Sequence, residues 1–332
     1  MKLQFNQIAP ITRGAAWIEE DTDGIHFHRF TREQEALYRQ VSADYSKKTL
    51  ATAGVRLVFR TDSRRITLAV KNTPGSSRNF AFVDVSANGE TLAHIGSREN
   101  GIGIFGGEYR LEEGMKTVTV TFPWSVASVL QNLELDDGSS ILPVPARRRM
   151  LIFGDSITQG YDAVYPTGSY AARLAEWLDA DARNKGIAAE FFRPALAAIR
   201  DPDFEPELIT VAYGTNDWSG HSKEQLESDL TGFYRTLSAT YPDAKIFAVS
   251  PVWRRDWRDP NRKAGPFTDV AALIERTAAE LPNVTHIPGF PLIPHDDALY
   301  SPDGLHPTDV GFAYDAERLC RQLLPYLNTD PV

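Results

Sequence analysis

Short runs in which apolar and polar residues alternate fill the first part of the chain. "GVRLVFRTD" (54–62) puts Val55, Leu57 and Phe59 on one face and Arg56, Val58 and Arg60 on the other. "RRITLAVKN" (64–72) aligns Ile66, Leu68 and Val70, and "KTVTVTFPW" (116–124) alternates again. "FAFVDVSANGETLAHI" (80–95) reads as a hairpin turning at Ala87-Asn88-Gly89. Period-two runs at close spacing, broken by Asn-Gly and Pro-Gly, predict antiparallel strands packed as a sandwich or jelly roll. One helix is expected within this region, at "TREQEALYRQV" (31–41).

The pattern changes after "ILPVPARRR" (141–149), a stretch with two prolines and three arginines that reads as a linker. Beyond it come compact apolar runs, "MLIF" (150–153), "ELITVAY" (207–213), "AKIFAVS" (244–250) and "NVTHIP" (283–288). Such runs suit strands buried on both faces. Between them apolar residues recur at helical spacing: Tyr170, Leu174, Trp177 and Leu178; Leu226, Leu230, Phe233 and Leu237; Val270, Leu273, Ile274, Thr277 and Leu281. A last set is Phe312, Leu319, Leu323 and Leu327. Strands alternating with helices predict a parallel sheet covered on both sides. The expected division is therefore an all-β accessory domain over 1–145 and an α/β domain over 146–332.

The length of 332 residues fits two domains. A net charge of −9 argues against a nucleic-acid partner, which requires a basic face. The single cysteine, Cys320, excludes an intrachain disulfide and a cysteine-rich metal site, and it falls in the apolar pattern of the last helix. The amino terminus lacks the apolar core of a signal peptide, and no run is long enough to span a membrane. A soluble, cytoplasmic protein is expected. His26 and His28 form an H-x-H pair, for which metal binding would require a third ligand. The glycine-rich "GIGIFGG" (101–107) lies among strands with no helix after it, so turn geometry explains it better than phosphate binding.

In an open parallel sheet, ligands bind beyond the carboxyl ends of the strands. Three polar stretches fall there: "FGDSITQG" (153–160), "YGTNDW" (213–218) and "SPDGLHPTD" (301–309). Ser156 by itself fits a helix cap as well as a nucleophile. A hydroxyl nucleophile requires a base, and the base an orienting group. His306, with Asp303 three residues earlier, supplies both within one loop. Asp155, Trp218, Trp253 and Arg254 also lie near strand ends and are candidates to contact substrate.

Taken together, "GDSITQG", "YGTNDW" and "DGLHP" resemble the motif blocks of the SGNH (GDSL-type) hydrolase superfamily, over residues 150–327. The resemblance implies a three-layer α/β hydrolase domain. It implies Ser156 as nucleophile, His306 as general base and then acid, and Asp303 as the group orienting His306. It also implies an oxyanion hole formed by the Asn216 side chain and the backbone N–H groups of Ser156 and residue 189. The family's N-x-G-x-x-G block appears as "NKGIAAE" (184–190). Asn184 and Gly186 match, but Ala189 stands where the donor glycine is expected. Alanine keeps the N–H, yet a left-handed backbone would be costly for a residue with a Cβ. The amino-terminal half resembles the jelly-roll domain that precedes some SGNH carbohydrate esterases and acyltransferases. The expected function is cleavage of a small-acyl ester, in the first place an acetyl ester of a carbohydrate or other small alcohol. No cofactor or metal is required. The alternatives are acyl transfer by the same triad, and a carbohydrate-binding protein with a decayed hydrolase site. The sequence does not specify the oligomeric state.

Overall fold

The computed structural model describes residues 1–327, so the last five residues of the expected second domain lie outside the described residues. The chain forms two compact units. The first comprises Met1–Arg147 together with Val164–Thr167 and Asp181–Asn184. The second comprises Arg148–Ala163, Gly168–Ala180 and Lys185 onward.

The first unit is built on two antiparallel sheets. One runs Thr12–Arg13, Arg56–Thr61, Lys116–Thr121, Ala81–Ala87 and Glu90–Ser97, with Leu142–Pro143 beside Arg56–Thr61. The other runs Trp17–Asp21, Gly24–His28, Val126–Leu135, Arg65–Pro74 and Gly103–Arg110. Alternation decides which side chains enter the core. Ile66, Leu68 and Val70 from one sheet meet Leu57, Phe59, Val118 and Val120 from the other. The hairpin at 81–97 closes through Asn88 and Gly89, with φ of 50° and 86°. Two left-handed residues are what a two-residue turn matching the strand twist requires, and Asn-Gly supplies them at low cost.

The helix expected at 31–41 spans Arg32–Val41, with Thr31 and Gln34 forming a capping box. A second helix, Ala43–Thr49, follows it without an apolar period that would have revealed it. The H-x-H pair is divided between two carboxylates. His26 Nε2 lies 3.0 Å from Asp21, and the buried His28 bonds Glu35 through Nδ1 at 2.8 Å while stacking on Trp17. "GIGIFGG" contributes to the edge strand Gly103–Arg110.

A third sheet has five strands: β1 (Arg148–Gly154), β2 (Ala180–Asn184), β3 (Leu208–Ala212), β4 (Lys245–Val249) and β5 (Val284–Ile287). Its order is β2-β1-β3-β4-β5, parallel along β1, β3, β4 and β5. Met150, Leu151, Ile152 and Phe153 are all buried, because helices cover both faces of the sheet. These are α1 (Ser156–Gln159), α2 (Tyr170–Trp177), α3 (Thr215–Gly220), α4 (Lys223–Thr240), α5 (Phe267–Ala279) and α6 (Asp309–Leu327). Two apolar positions depart from the periodic reading: Leu281 lies beyond the end of α5, and Trp177 faces out. Trp177 ends α2 and is 49% exposed, while Leu178 just beyond the helix is buried. Among the described residues, no helix is long and apolar enough to cross a membrane.

Candidate active site

Ser156 is the first residue of α1, immediately beyond β1. Asp155 caps this helix, its carboxylate accepting the Ile157 N–H at 2.9 Å. Burial pushes the Asp155 carboxyl up to about 6, against the opposing pull of that N–H and of the positive charge of Arg254. The nucleophile and cap readings of the Asp-Ser pair are thus divided between neighbours: Asp155 is the cap, and the Ser156 hydroxyl is left for other contacts.

Ser156 Oγ lies 2.7 Å from His306 Nε2, and His306 Nδ1 lies 2.6 Å from Asp303 Oδ2. Ser156 and His306 are both buried. Asp303 also accepts the backbone N–H groups of Leu305, at 2.9 Å, and His306, at 3.1 Å. One carboxylate therefore folds its own loop and fixes the imbidazole ring that the loop carries. Burial pushes the Asp303 carboxyl up, but the His306 hydrogen bond and the two N–H donors outweigh it and hold Asp303 well below the usual carboxylate range. Asp303 is accordingly ionised wherever His306 can act as a base.

Asn216 lies in the first turn of α3, beyond β3. Its Nδ2 donates to Glu190 O at 3.0 Å, which accounts for one of its two amide hydrogens. The next residue, Asp217, accepts the Phe192 N–H at 3.0 Å. Consecutive side chains of α3 thus pin the 190–192 segment. Burial pushes Asp217 up to about 7, against the Phe192 hydrogen bond. Gly186 packs against α1 so closely that a Cβ would sit 2.5 Å from Gln159 N, which explains the glycine there.

Ala189 has φ +65°, the left-handed conformation that its Cβ disfavours. The fold holds alanine where glycine would be unstrained. Ala189→Gly is expected to raise stability by about 0.5–1 kcal/mol in urea unfolding, since relief of the strained φ outweighs glycine's larger unfolded-state entropy.

The four residues considered for substrate contact are buried, as Ser156 is. Asp155 is committed to its cap. Trp218 is fully buried, donates Nε1–H to Gly265 O at 2.8 Å and lies under Arg254 and Arg262. Arg254 spends its guanidinium on Thr215, Ser219 and Asp256, tying the loop after β4 to α3. Trp253 packs against Tyr300 and Ile293. All four lie near strand ends, and their side chains make these contacts within the domain.

A cavity of about 30 Å³, lined by Asp155, Tyr170, Thr215, Ser250 and Asp315 among others, lies in the same domain. Asp315, on α6, is 3% exposed, and burial pushes its carboxyl up to about 7. The native state therefore keeps a proton that the unfolded chain gives up near pH 4. Stability falls as pH rises from about 4 through 7. Asp315→Asn removes this share of the decline. The variant is expected to be more stable at pH 8, by up to about 4 kcal/mol, and little changed at pH 4, as read by urea unfolding at the two pH values.

Residues 152–314 match the GDSL-like Lipase/Acylhydrolase family. No curated protein matches the chain. Among solved structures, the fold is similar to a salicylyl-acyltransferase from a tetracycline biosynthetic pathway, with 23% identity, a TM-score of 0.80 and coverage of 97% of this chain and 95% of the other. It is also similar to a family two carbohydrate esterase from Clostridium thermocellum, at 18% identity and TM-score 0.64, covering 83% of this chain and 94% of that one. An acetyl xylan esterase from the rumen bacterium Butyrivibrio proteoclasticus aligns at 16% identity and TM-score 0.59, covering 82% and 89%. At these identities the structural likeness speaks for the fold. The chain thus carries a GDSL-like lipase/acylhydrolase domain over residues 152–314, after a β-rich amino-terminal domain, and this match supports a carboxylic ester hydrolase.

Proposed function

We propose that the protein is a serine esterase that removes a small acyl group, in the first place acetyl, from a carbohydrate or other small alcohol through an acyl-Ser156 intermediate. The observation that carries this reading is the continuous relay from Ser156 Oγ through His306 to Asp303, at 2.7 and 2.6 Å. His306 Nε2 takes the hydroxyl proton as Oγ attacks the ester carbonyl. The developing oxyanion is received by the second amide hydrogen of Asn216 and by the backbone N–H groups of Ser156 and Ala189. Ser156 begins a helix, and the first N–H groups of a helix have no partner within it. His306 then returns the proton to the leaving alcohol. Water, activated by the same imidazole, releases the acid. No metal or cofactor enters this scheme. An intact relay also argues against a decayed, purely carbohydrate-binding role.

The sugar ester is supported by the carbohydrate esterases among the similar folds. Acyl transfer is the second reading, favoured by one observation. The salicylyl-acyltransferase fold aligns over 97% of this chain, against 83% for the carbohydrate esterase. The deciding experiment incubates the protein with an acetylated xylo-oligosaccharide, with and without a competing alcohol, and analyses products by mass spectrometry. Free acetate formed at the same rate with and without the alcohol supports the esterase. Acetyl groups appearing on the alcohol in preference to water favour transfer.

A further inference from the structure

The imidazole of His306 faces two carboxylates. Asp303 Oδ2 is hydrogen-bonded to Nδ1, and Asp162 Oδ2 lies 3.9 Å from the same nitrogen. The facing side-chain atoms of Asp162, Asp303 and His306 lie within 4.8 Å of one another. A separation of 3.9 Å is too long for a hydrogen bond but lies within the range over which an opposite charge favours a cation. The Asp162 side chain is 16% exposed, so solvent screens it only in part.

The backbone is bent to bring Asp162 there. Immediately after α1, the N–H groups of Gly160 and Tyr161 both donate to Ser156 O, at 3.0 and 2.9 Å. Gly160 then has φ +111° and Asp162 φ +70°. A left-handed non-glycine residue is uncommon, and such strain gathers at functional sites. The turn folds back over the helix that begins with Ser156, so the nucleophile and this second carboxylate share one short segment.

We propose that Asp162 is a second electrostatic partner of His306, a positioning residue that stabilises the imidazolium formed in both halves of the reaction. The inference rests on the Ser156–His306–Asp303 reading above. In the resting site His306 carries its proton on Nδ1, toward Asp303, and Nε2 accepts from Ser156. As the Oγ–C bond forms, the carbonyl π pair moves onto oxygen and the Ser156 proton moves to Nε2. The ring is then a cation facing two anions. When the C–O bond to the alcohol breaks, the Nε2 proton goes to the leaving oxygen and the ring is neutral again. Two more groups face the ring among the described residues. Tyr161 approaches with its aromatic face, centroids 5.3 Å apart, and Asp155 acts on His306 through charge alone while its carboxylate stays on Ile157 N–H.

The pH dependence of kcat/KM on a chromogenic acetate ester tests this. A neighbouring carboxylate favours protonated His306, so it places the acid limb of the profile at higher pH. Asp162→Asn keeps the shape and tolerates the left-handed backbone. It is expected to move the acid limb toward lower pH and to lower the plateau about tenfold. Asp162→Gly, which relaxes the backbone and also lacks the charge, is expected to do the same and covers the case in which the asparagine variant folds poorly. In an Asp303→Asn background, removing the Asp162 charge is expected to cost more than in the wild type, because Asp162 is then the remaining carboxylate. An acid limb that stays in place in a folded Asp162 variant overturns the inference. Ser156→Ala, run beside it, keeps the failures apart. If that variant is inactive while the limb stays fixed, only the role of Asp162 falls. If it is fully active, the triad reading falls first.

Discussion

Ser156→Ala is expected to lower kcat on a chromogenic acetate ester by about 10⁴-fold or more, with KM little changed. The hydroxyl is the atom that would bond to the acyl carbon, and it is the side-chain oxygen that faces His306 Nε2, at 2.7 Å. A hydroxyl-to-hydrogen change in a buried site adds little cavity and leaves the Asp155 cap in place. The variant is therefore expected to melt within a few degrees of the wild type. Steady-state kinetics with a melting curve on the same preparation check both parts. A retained rate in a folded Ser156→Ala protein would remove Ser156 from the mechanism.

Asn216→Ala is the second large effect. Loss of one side-chain oxyanion donor costs about 3–4 kcal/mol of transition-state stabilisation, so kcat is expected to fall by about 10²–10³. The residue has a second task, since the same amide holds Glu190 O. Loss of that hydrogen bond alone is worth about 1 kcal/mol. The two contributions separate in the readout. The oxyanion contribution appears in kcat, and the pin appears as a modest drop in unfolding free energy. Asn216→Asp sharpens the contrast by placing an anion where an oxyanion would form. It is expected to be at least as slow as the alanine variant, and a kcat close to wild type for either would exclude Asn216 as a donor.

Much of this architecture can be read in the chain before any coordinates. Alternation at 54–72 and 116–124 identified core-facing residues such as Leu57, Ile66 and Val118, because a sheet with one buried face leaves little choice of register. Asn88-Gly89 marked its hairpin because few other pairs adopt two left-handed angles cheaply. The runs at 150–153, 207–213, 244–250 and 283–288 showed the parallel sheet, since only strands covered on both sides are apolar at every position. The motifs also drew attention to Ser156, Asn216, Asp303 and His306, three of which meet in one hydrogen-bonded chain.

What escaped the sequence has physical causes. A strand-end position does not say which way a side chain points, so it does not reveal that Trp218 donates to Gly265 O or that Arg254 donates to Thr215. Ala189 raised the right question, but only the surrounding fold shows that alanine is held at φ +65° there. Asp162 belongs to no spacing rule. Its place beside His306 follows from a turn with two left-handed residues, one of them not glycine. The segments Val164–Thr167 and Asp181–Asn184 group with the first unit although they lie well beyond the linker, and no composition change marks them.

The central claim is that Ser156 carries the acyl group. Intact-mass analysis after treatment with a fluorophosphonate, a reagent that phosphonylates activated serines, tests it most directly. The account predicts a single adduct, mapped by peptide digestion to Ser156 and absent from both Ser156→Ala and His306→Ala. A wild-type protein that stays unlabelled while hydrolysing esters, or a label that persists in Ser156→Ala, would contradict it.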